Sequence, residues 1–278
     1  MSNLISVIVP TYQRIEYLPI CINSLLSQYH NDDFSWEAII CNDAGEDVKH
    51  IVDSFHDSRL KYISNPINVG LGQTRNNAVK ESQGNYICYC DQDDGLYPHF
   101  LQIMFHEMKK AEINGYKLIY GDVIRKIQQK GDDKKYKVVA RDLPLSIDFN
   151  HDLILVQNVT PVTGIFHKRE LIDEIGQFDS TLLRYEDWDF LIRAANNFDL
   201  KHIAIPVSWF TWRNDLEGTS MSSTPDNLFT TLLPTIYGRY WETAHNKLWV
   251  AETMNYVLKQ RGLDPMFQIN REINPLRL

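Results

Sequence analysis

The sequence predicts an α/β fold, a mainly parallel sheet with helices on both faces. Three observations predict it. From Leu4 to Cys90, β-branched and aromatic runs alternate with helical stretches at short spacing, the order that builds a parallel sheet. Several runs end in polar groups, at Pro10-Thr11-Tyr12, Asn42-Asp43 and Asp91-Gln92-Asp93; such sheets bind ligands beyond their C-terminal strand ends. The apolar run Tyr86–Cys90 stops abruptly at Asp91, Asp93 and Asp94, a local excess of negative charge that needs compensation.

Each element has its own justification. Leu4–Val9 is a buried strand by its β-branched run, ended by Pro10-Thr11. Leu18, Ile22, Leu25 and Leu26 share one face of a helix over Ile15–Gln28, and Pro19 is tolerated in its first turn. Trp36–Cys41 is the second strand, Val48–Phe55 a short helix and Leu60–Ser64 the third strand. The loop Asn65–Gly72 is rich in breakers and feeds a helix over Gln73–Glu81, after which comes the strand Tyr86–Cys90.

The second half changes character. Pro98–Asn114 is a helix, and Leu118–Ile124 and Tyr136–Val139 are strands joined by a charged, solvated hairpin tip, Arg125–Lys135. Residues 142–157 carry no clear pattern. Thr163–Phe166 reads as a strand, Lys168–Ile175 and Glu186–Asn197 as helices, and Leu200–Trp209 as a strand that Pro206 makes an edge or irregular. Asn214–Pro225 is a polar loop, and helical spacing resumes from Asp226 to Arg261. With no repeat, low-complexity tract or linker, the chain reads as one compact domain with a helical C-terminal extension.

Composition narrows the class. The 278 residues are 44% hydrophobic and 23% charged, ordinary for a soluble globular protein. A net charge of -8 argues against a nucleic-acid binder with a basic surface. Strand residues begin at Leu4, leaving no room for a signal peptide, and no apolar run suits a membrane span. Cys21, Cys41, Cys88 and Cys90 read as reduced, buried thiols of a cytoplasmic protein.

Two acidic clusters carry chemistry. Asp91 and Asp93 are two apart, so a local turn brings both to one hard divalent ion; a plain polar turn is the competing reading. In the second cluster, Trp188, Leu191, Ile192 and Ala195 form an apolar helical stripe, with Glu186, Asp189 and Arg193 opposite it and Asp187 at its edge. A carboxylate at that rim is raised toward the working range of a general base. The competing reading is acidic residues complementing a helix dipole, with Asp189 and Arg193 as an i,i+4 pair.

Several stretches together resemble the family-2 glycosyltransferases of the GT-A fold. They are Val7–Arg14, Cys41–Asp47, Asn68–Asn76, Asp91-Gln92-Asp93-Asp94 in the DxD position, and Gly176–Asp179 followed by Glu186–Asp189. The match runs over about residues 4–215, in order. It implies a GT-A-like sheet with a small antiparallel acceptor-side sheet. Residues 1–97 would be the nucleotide-sugar half and 98–224 the acceptor half, with 225–278 the helical extension.

The resemblance also implies an inverting, metal-dependent transfer from a nucleotide sugar, with a UDP-sugar as leading donor, to a carbohydrate or lipid-linked glycan acceptor in surface polysaccharide or glycoconjugate synthesis. Pro10, Thr11, Tyr12, Arg14, Asp43, Asn68, Gly70, Arg75, Asp91 and Gln92 would hold the donor. Asp93 and Asp91, with Asp215 standing where relatives often place a His, would hold Mn²⁺ or Mg²⁺. Asp187 would be the catalytic base, and Glu186 and Trp188 would shape the acceptor pocket. Asn42 replaces the more usual acidic residue, which leaves the base less defined. Asp94 takes a supporting place, capping the turn into the Pro98 helix. Competing readings are a nucleotidyltransferase and a non-catalytic nucleotide- or sugar-binding module. The aromatic C-terminal stretch, including Phe229, Ile236, Tyr237, Leu248 and Trp249, reads as packing. Its alternative is a surface that docks peripherally on a membrane, on a lipid-linked acceptor or on a partner.

Overall fold

The computed structural model describes residues 3–29, 32–131, 135–213 and 226–267. Four strands, β1 (Leu4–Thr11), β2 (Ser35–Asn42), β3 (Leu60–Ser64) and β4 (Tyr86–Tyr89), lie parallel in the order β3-β2-β1-β4. Their crossovers carry α1 (Leu18–Leu26), α2 (Lys49–Asp53) and α3 (Leu71–Glu81). The helix expected from Ile15 begins as a 3₁₀ turn over Ile15–Tyr17, and Pro19 sits in the first turn of α1.

The same sheet continues through the second half. Beyond β4 come β8 (Ile165–Lys168) and β6 (Leu118–Lys130), both antiparallel to their predecessor. Next is β9 (Lys201–Arg213), parallel to β6, and then the two-residue β5 (Gly95–Leu96), antiparallel to β9. β7 (Tyr136–Asp142) pairs with β6 off this path.

Strand side chains alternate between two buried layers, which is why the strands are apolar on both sides. Ile5, Val7 and Val9 face the layer of α1 and α4 (Phe100–Ala111), while Ile8 faces the opposite layer. That opposite layer holds α3, α5 (His151–Val156), α6 (Glu170–Ile175) and α7 (Glu186–Ala195). Each such side chain contributes roughly 1.5–3 kcal/mol on burial, so the two layers dominate stability. The C-terminal helices α8 (Asp226–Tyr240) and α9 (Lys247–Gln260) belong to that second layer: Ile236, Tyr237, Val250, Met254 and Leu258 pack in one cluster with Ile154 and Leu191. Leu248 and Trp249, read as packing, instead face solvent in the first turn of α9, 56% and 40% exposed. Phe229 lies where side chains are outside the described set. Among the described residues, no helix is long and apolar enough to cross a membrane.

Three stretches differ from expectation. Arg125–Lys130 is strand rather than hairpin tip, because β7 and β9 flank it with partners for its charges. Arg125 Nε donates to Asp142 Oδ1 at 2.9 Å, and Lys126 Nζ lies 3.5 Å from the ring centre of Trp209. Within residues 142–157, His151–Val156 form α5, whose N-cap Asn150 accepts from the Leu153 amide at 2.8 Å. Thr163 lies in a 3₁₀ turn, Val162–Gly164, ahead of β8. The irregularity expected of Pro206 is present: the β6–β9 register slips there, where proline has no amide to donate.

Candidate active site

The C-terminal ends of β1, β2 and β4 open into a cleft of about 210 Å³. Pro10, Thr11, Tyr12, Arg14, Asp43, Asn68, Gly70, Asp91, Gln92 and Asp93 all line it, so every donor-side residue read from the sequence except Arg75 meets there. Gly70 has φ +85 at the start of α3, a conformation that favours glycine.

Two of these residues spend their polar atoms on the scaffold. Asp43 accepts from the backbone amides of Val69 (2.8 Å) and Gly70 (2.9 Å) and from Asn65 Nδ2 (2.9 Å). It thereby folds the Asn68–Gly70 loop over the cleft. Gln92 Nε2 donates to the carbonyls of Tyr12 and Gln13, its Oε1 accepts from the Tyr12 amide at 3.2 Å, and Thr11 Oγ1 also donates to it. This latch holds Gln13 and Arg14 in left-handed backbone, φ 53 and 44, which is costly for side-chain-bearing residues.

The acidic turn is compensated by arginines. Arg75 is buried; its Nη2 donates to both oxygens of Asp91 (2.8 and 3.0 Å) and its Nη1 to Glu186 Oε1 (2.6 Å). Burial alone would lower the Arg75 pKa, but Asp91 and Glu186 hold it above the ordinary value. Asp93 Oδ2 pairs with Arg213 Nη1 at 3.0 Å and Arg14 Nη1 at 3.4 Å. Arg213 is itself buried, its guanidinium 4.2 Å from the ring centre of Tyr17 and 5.4 Å from that of Tyr136. Asp94 does not cap the following helix: it accepts from the Thr211 amide and from Thr163 Oγ1, both at 3.0 Å, so it clips β9 to the turn. Burial, then Asp93 and Asp91, raise its pKa well above the carboxylate range. Asp91 and Asp93 are hard oxygen donors at the cleft edge, the donor type that Mg²⁺ and Mn²⁺ take. Their charge, however, is already met by Arg14, Arg75 and Arg213.

A second cleft, about 320 Å³, adjoins the first and shares Leu71, Asp91 and Asp93 with it. Arg75, Asn158, Thr163, Arg184, Tyr185, Glu186, Asp187 and Trp212 line it. Asp187 stands in the first turn of α7, where its Oδ1 accepts from the Trp188 amide (2.7 Å) and its Oδ2 from Asn158 Nδ2 (3.2 Å). Burial, reinforced by Glu186 and opposed by Arg75, pushes its pKa up to about 7. Tyr185, just before the helix, has φ 64.

Other readings of this helix change. Glu186 and Asp189 are buried rather than solvent-facing. Glu186 is covered by Arg75. Asp189, besides its i,i+4 pair with Arg193 (2.8 Å), accepts from Tyr240 Oη (2.6 Å) and Arg239 Nη1 (3.2 Å) of α8. Trp188, expected to shape an acceptor pocket, does not line this second cleft. It follows the apolar stripe inward and donates from Nε1 to the Ile154 carbonyl at 2.6 Å. Asp215 lies outside the described residues. Asn158, just past the unpatterned stretch, left no sequence signal; Arg184 and Tyr185 were findable only by adjacency to Glu186.

Known proteins share this architecture. Residues 6–172 match the family model described as Glycosyl transferase family 2. The glycosyltransferase YwdF of Bacillus subtilis strain 168 is 30% identical over 199 residues, 72% of this chain and 70% of that protein. An Escherichia coli UDP-Glc:alpha-D-GlcNAc-diphosphoundecaprenol beta-1,3-glucosyltransferase, WfgD, is 31% identical over 120 residues, 43% of this chain and 45% of that protein. The crystal structure of S. aureus TarS in complex with UDP-GlcNAc superposes with a TM-score of 0.68 at 20% identity, covering 94% of this chain and 72% of that one. The sheet is thus GT-A-like, and the chain belongs to glycosyltransferase family 2.

Proposed function

We propose that this glycosyltransferase moves a sugar from a UDP-sugar to an acceptor hydroxyl with inversion at the anomeric carbon, and that Asp187 is its general base. The observation that carries this reading is the placement of Asp187, its pKa near 7, in a cleft that adjoins the one at the β1, β2 and β4 ends. The nucleotide and diphosphate belong in the smaller cleft, between Thr11–Arg14, Asp43, the Asn68–Gly70 loop and Asp93. The acceptor belongs in the larger one. The names of WfgD and of the TarS complex, which carry UDP-Glc and UDP-GlcNAc, support a UDP-sugar. Those of WfgD and of a putative colanic acid biosynthesis relative support a surface-glycan acceptor. Four free, buried thiols suit a reducing compartment.

In the step itself, Asp187 takes the acceptor O–H proton while that oxygen bonds to the anomeric carbon from the face opposite the donor phosphate. The bond from that carbon to the phosphate oxygen breaks, and its electron pair leaves with the nucleoside diphosphate. Asn158 and the Trp188 amide hold the carboxylate in place. Glu186, held by Arg75, keeps negative charge beside it and so keeps it basic. Arg14 and Arg213 supply positive charge at the diphosphate end. A divalent ion held by Asp91 and Asp93 would add charge neutralisation for the leaving diphosphate.

The test is turnover of UDP-sugars by Asp187→Asn. Loss of base catalysis lowers kcat by about 10²–10⁴-fold with UDP binding retained; equal turnover by wild type and variant would falsify the assignment. For the metal, Mn²⁺ added to chelator-treated protein raises wild-type turnover, and the gain is lost in Asp93→Asn. Turnover indifferent to chelation would leave Arg14 and Arg213 as the compensating charges.

A further inference from the structure

Outside the two clefts, the start of α5 meets the turn before α9. His151, Asp152 and His245 converge there, with one potential ligand atom from each lying within 4.8 Å of the others. Three details distinguish this cluster from a chance meeting of polar side chains. His151 Nε2 faces Asn196 Oδ1 at 3.0 Å, an acceptor, so Nε2 donates to it and Nδ1 carries the lone pair of the neutral imidazole. That Nδ1 is buried, has no hydrogen-bond partner among the described residues, and stands 3.7 Å from Asp152 Oδ1. Two electron-pair donors thus face each other beyond hydrogen-bond distance. Asp152 is in turn fixed by the backbone amides of His245 (2.7 Å) and Asn246 (2.9 Å). Hydrogen-bonded partners that orient an imidazole and a carboxylate are the supporting shell that metal ligands need.

From this geometry we propose a Zn²⁺ site formed by His151 Nδ1, an Asp152 carboxylate oxygen and His245. Two imidazoles and one carboxylate suit this borderline ion, and a water would complete a tetrahedron. Tetrahedral ligands at about 2.0–2.1 Å from zinc lie roughly 3.3 Å apart, so closure needs a shift of only about 1.5 Å. His245 is exposed and stacks on His151 at 4.2 Å between ring centres, so rotation of its ring supplies that shift. An open depression of about 420 Å³ beside Asp152, bordered by Leu153 and Trp249, gives the ion access. Bound there, zinc would staple α9 to α5, the helix whose following loop carries Asn158 to Asp187.

The proposal is tested on tag-free, chelator-treated full-length protein titrated calorimetrically with ZnCl₂ in excess Mg²⁺, which occupies hard oxygen sites. Wild type and Asp93→Asn take up about one equivalent and gain thermal stability, as a ligand of the native state requires. His245→Ala, at an exposed position that leaves folding intact, weakens uptake by more than about tenfold, and so does His151→Ala. Co²⁺ in place of zinc gives a tetrahedral visible spectrum in wild type that is absent from His245→Ala. Zinc uptake unchanged in both histidine variants, or lost in Asp93→Asn, overturns the site.

Discussion

Asp187 and Arg75 show how a few side chains set the chemistry. The carboxylate proposed as base, Asp187, raised to about 7, would work only when deprotonated, so kcat/KM should climb with pH up to about 7, and Asp187→Asn should lack that limb. The same shift acts on stability with a defined sign. The folded pKa lies above the unfolded one of about 3.9, so the stability this group contributes is present below the unfolded value and is lost as pH rises through about 7. Asp187→Asn should therefore match wild type in urea melts near pH 4 and exceed it at pH 8. Arg75 is the opposite case. Its removal as Arg75→Met leaves Glu186 buried without a counter-charge, which costs about 3–5 kcal/mol; a fall in the urea midpoint at pH 7.5 checks it, and an unchanged midpoint would mean that the pair stabilises nothing.

At the level of elements, the strands and helices of the first half were legible because burial on both sheet faces leaves unbroken apolar runs such as Val7–Val9 and Tyr86–Cys90. Strand ends then located the smaller cleft, and the helical period of Trp188, Leu191 and Ile192 placed Asp187 at a rim. What periodicity could not show was contact at long range. Glu186 and Asp189 read as a solvated face because nothing local reveals that Arg75, more than a hundred residues earlier, covers one and Tyr240 the other. Nor does local charge reveal that Arg125–Lys130 is strand, since its neighbours come from β7 and β9. The two-residue β5 was equally invisible. It exists because Gly95 lets the Trp209 ring lie against the backbone, so closely that an added Cβ would overlap the indole. Gly95→Ala should cost about 1–3 kcal/mol by overpacking, read as a lower Tm, and should loosen the turn that carries Asp93 and Asp94.

For the molecule as a whole, one sheet carries both clefts: the parallel strands end beneath the smaller one, and the strands added after β4 frame the larger one. The C-terminal helices complete the second layer, and Asp189, two residues beyond Asp187, accepts from Tyr240 and Arg239. That tether has a consequence in the order of synthesis. The cleft proposed for the donor can assemble on a ribosome once β9, which supplies Thr211 and Arg213 to its acidic turn, has emerged, but α7 gains its backing only after α8 is made. A nascent chain should bind UDP before it can transfer sugar. A chain ended after residue 224 should keep the UDP-induced Tm rise and lose turnover; full turnover in that truncated chain would show that α7 needs no such backing. Catalytic competence would then be a late event in the life of the polypeptide, withheld until the last helices arrive.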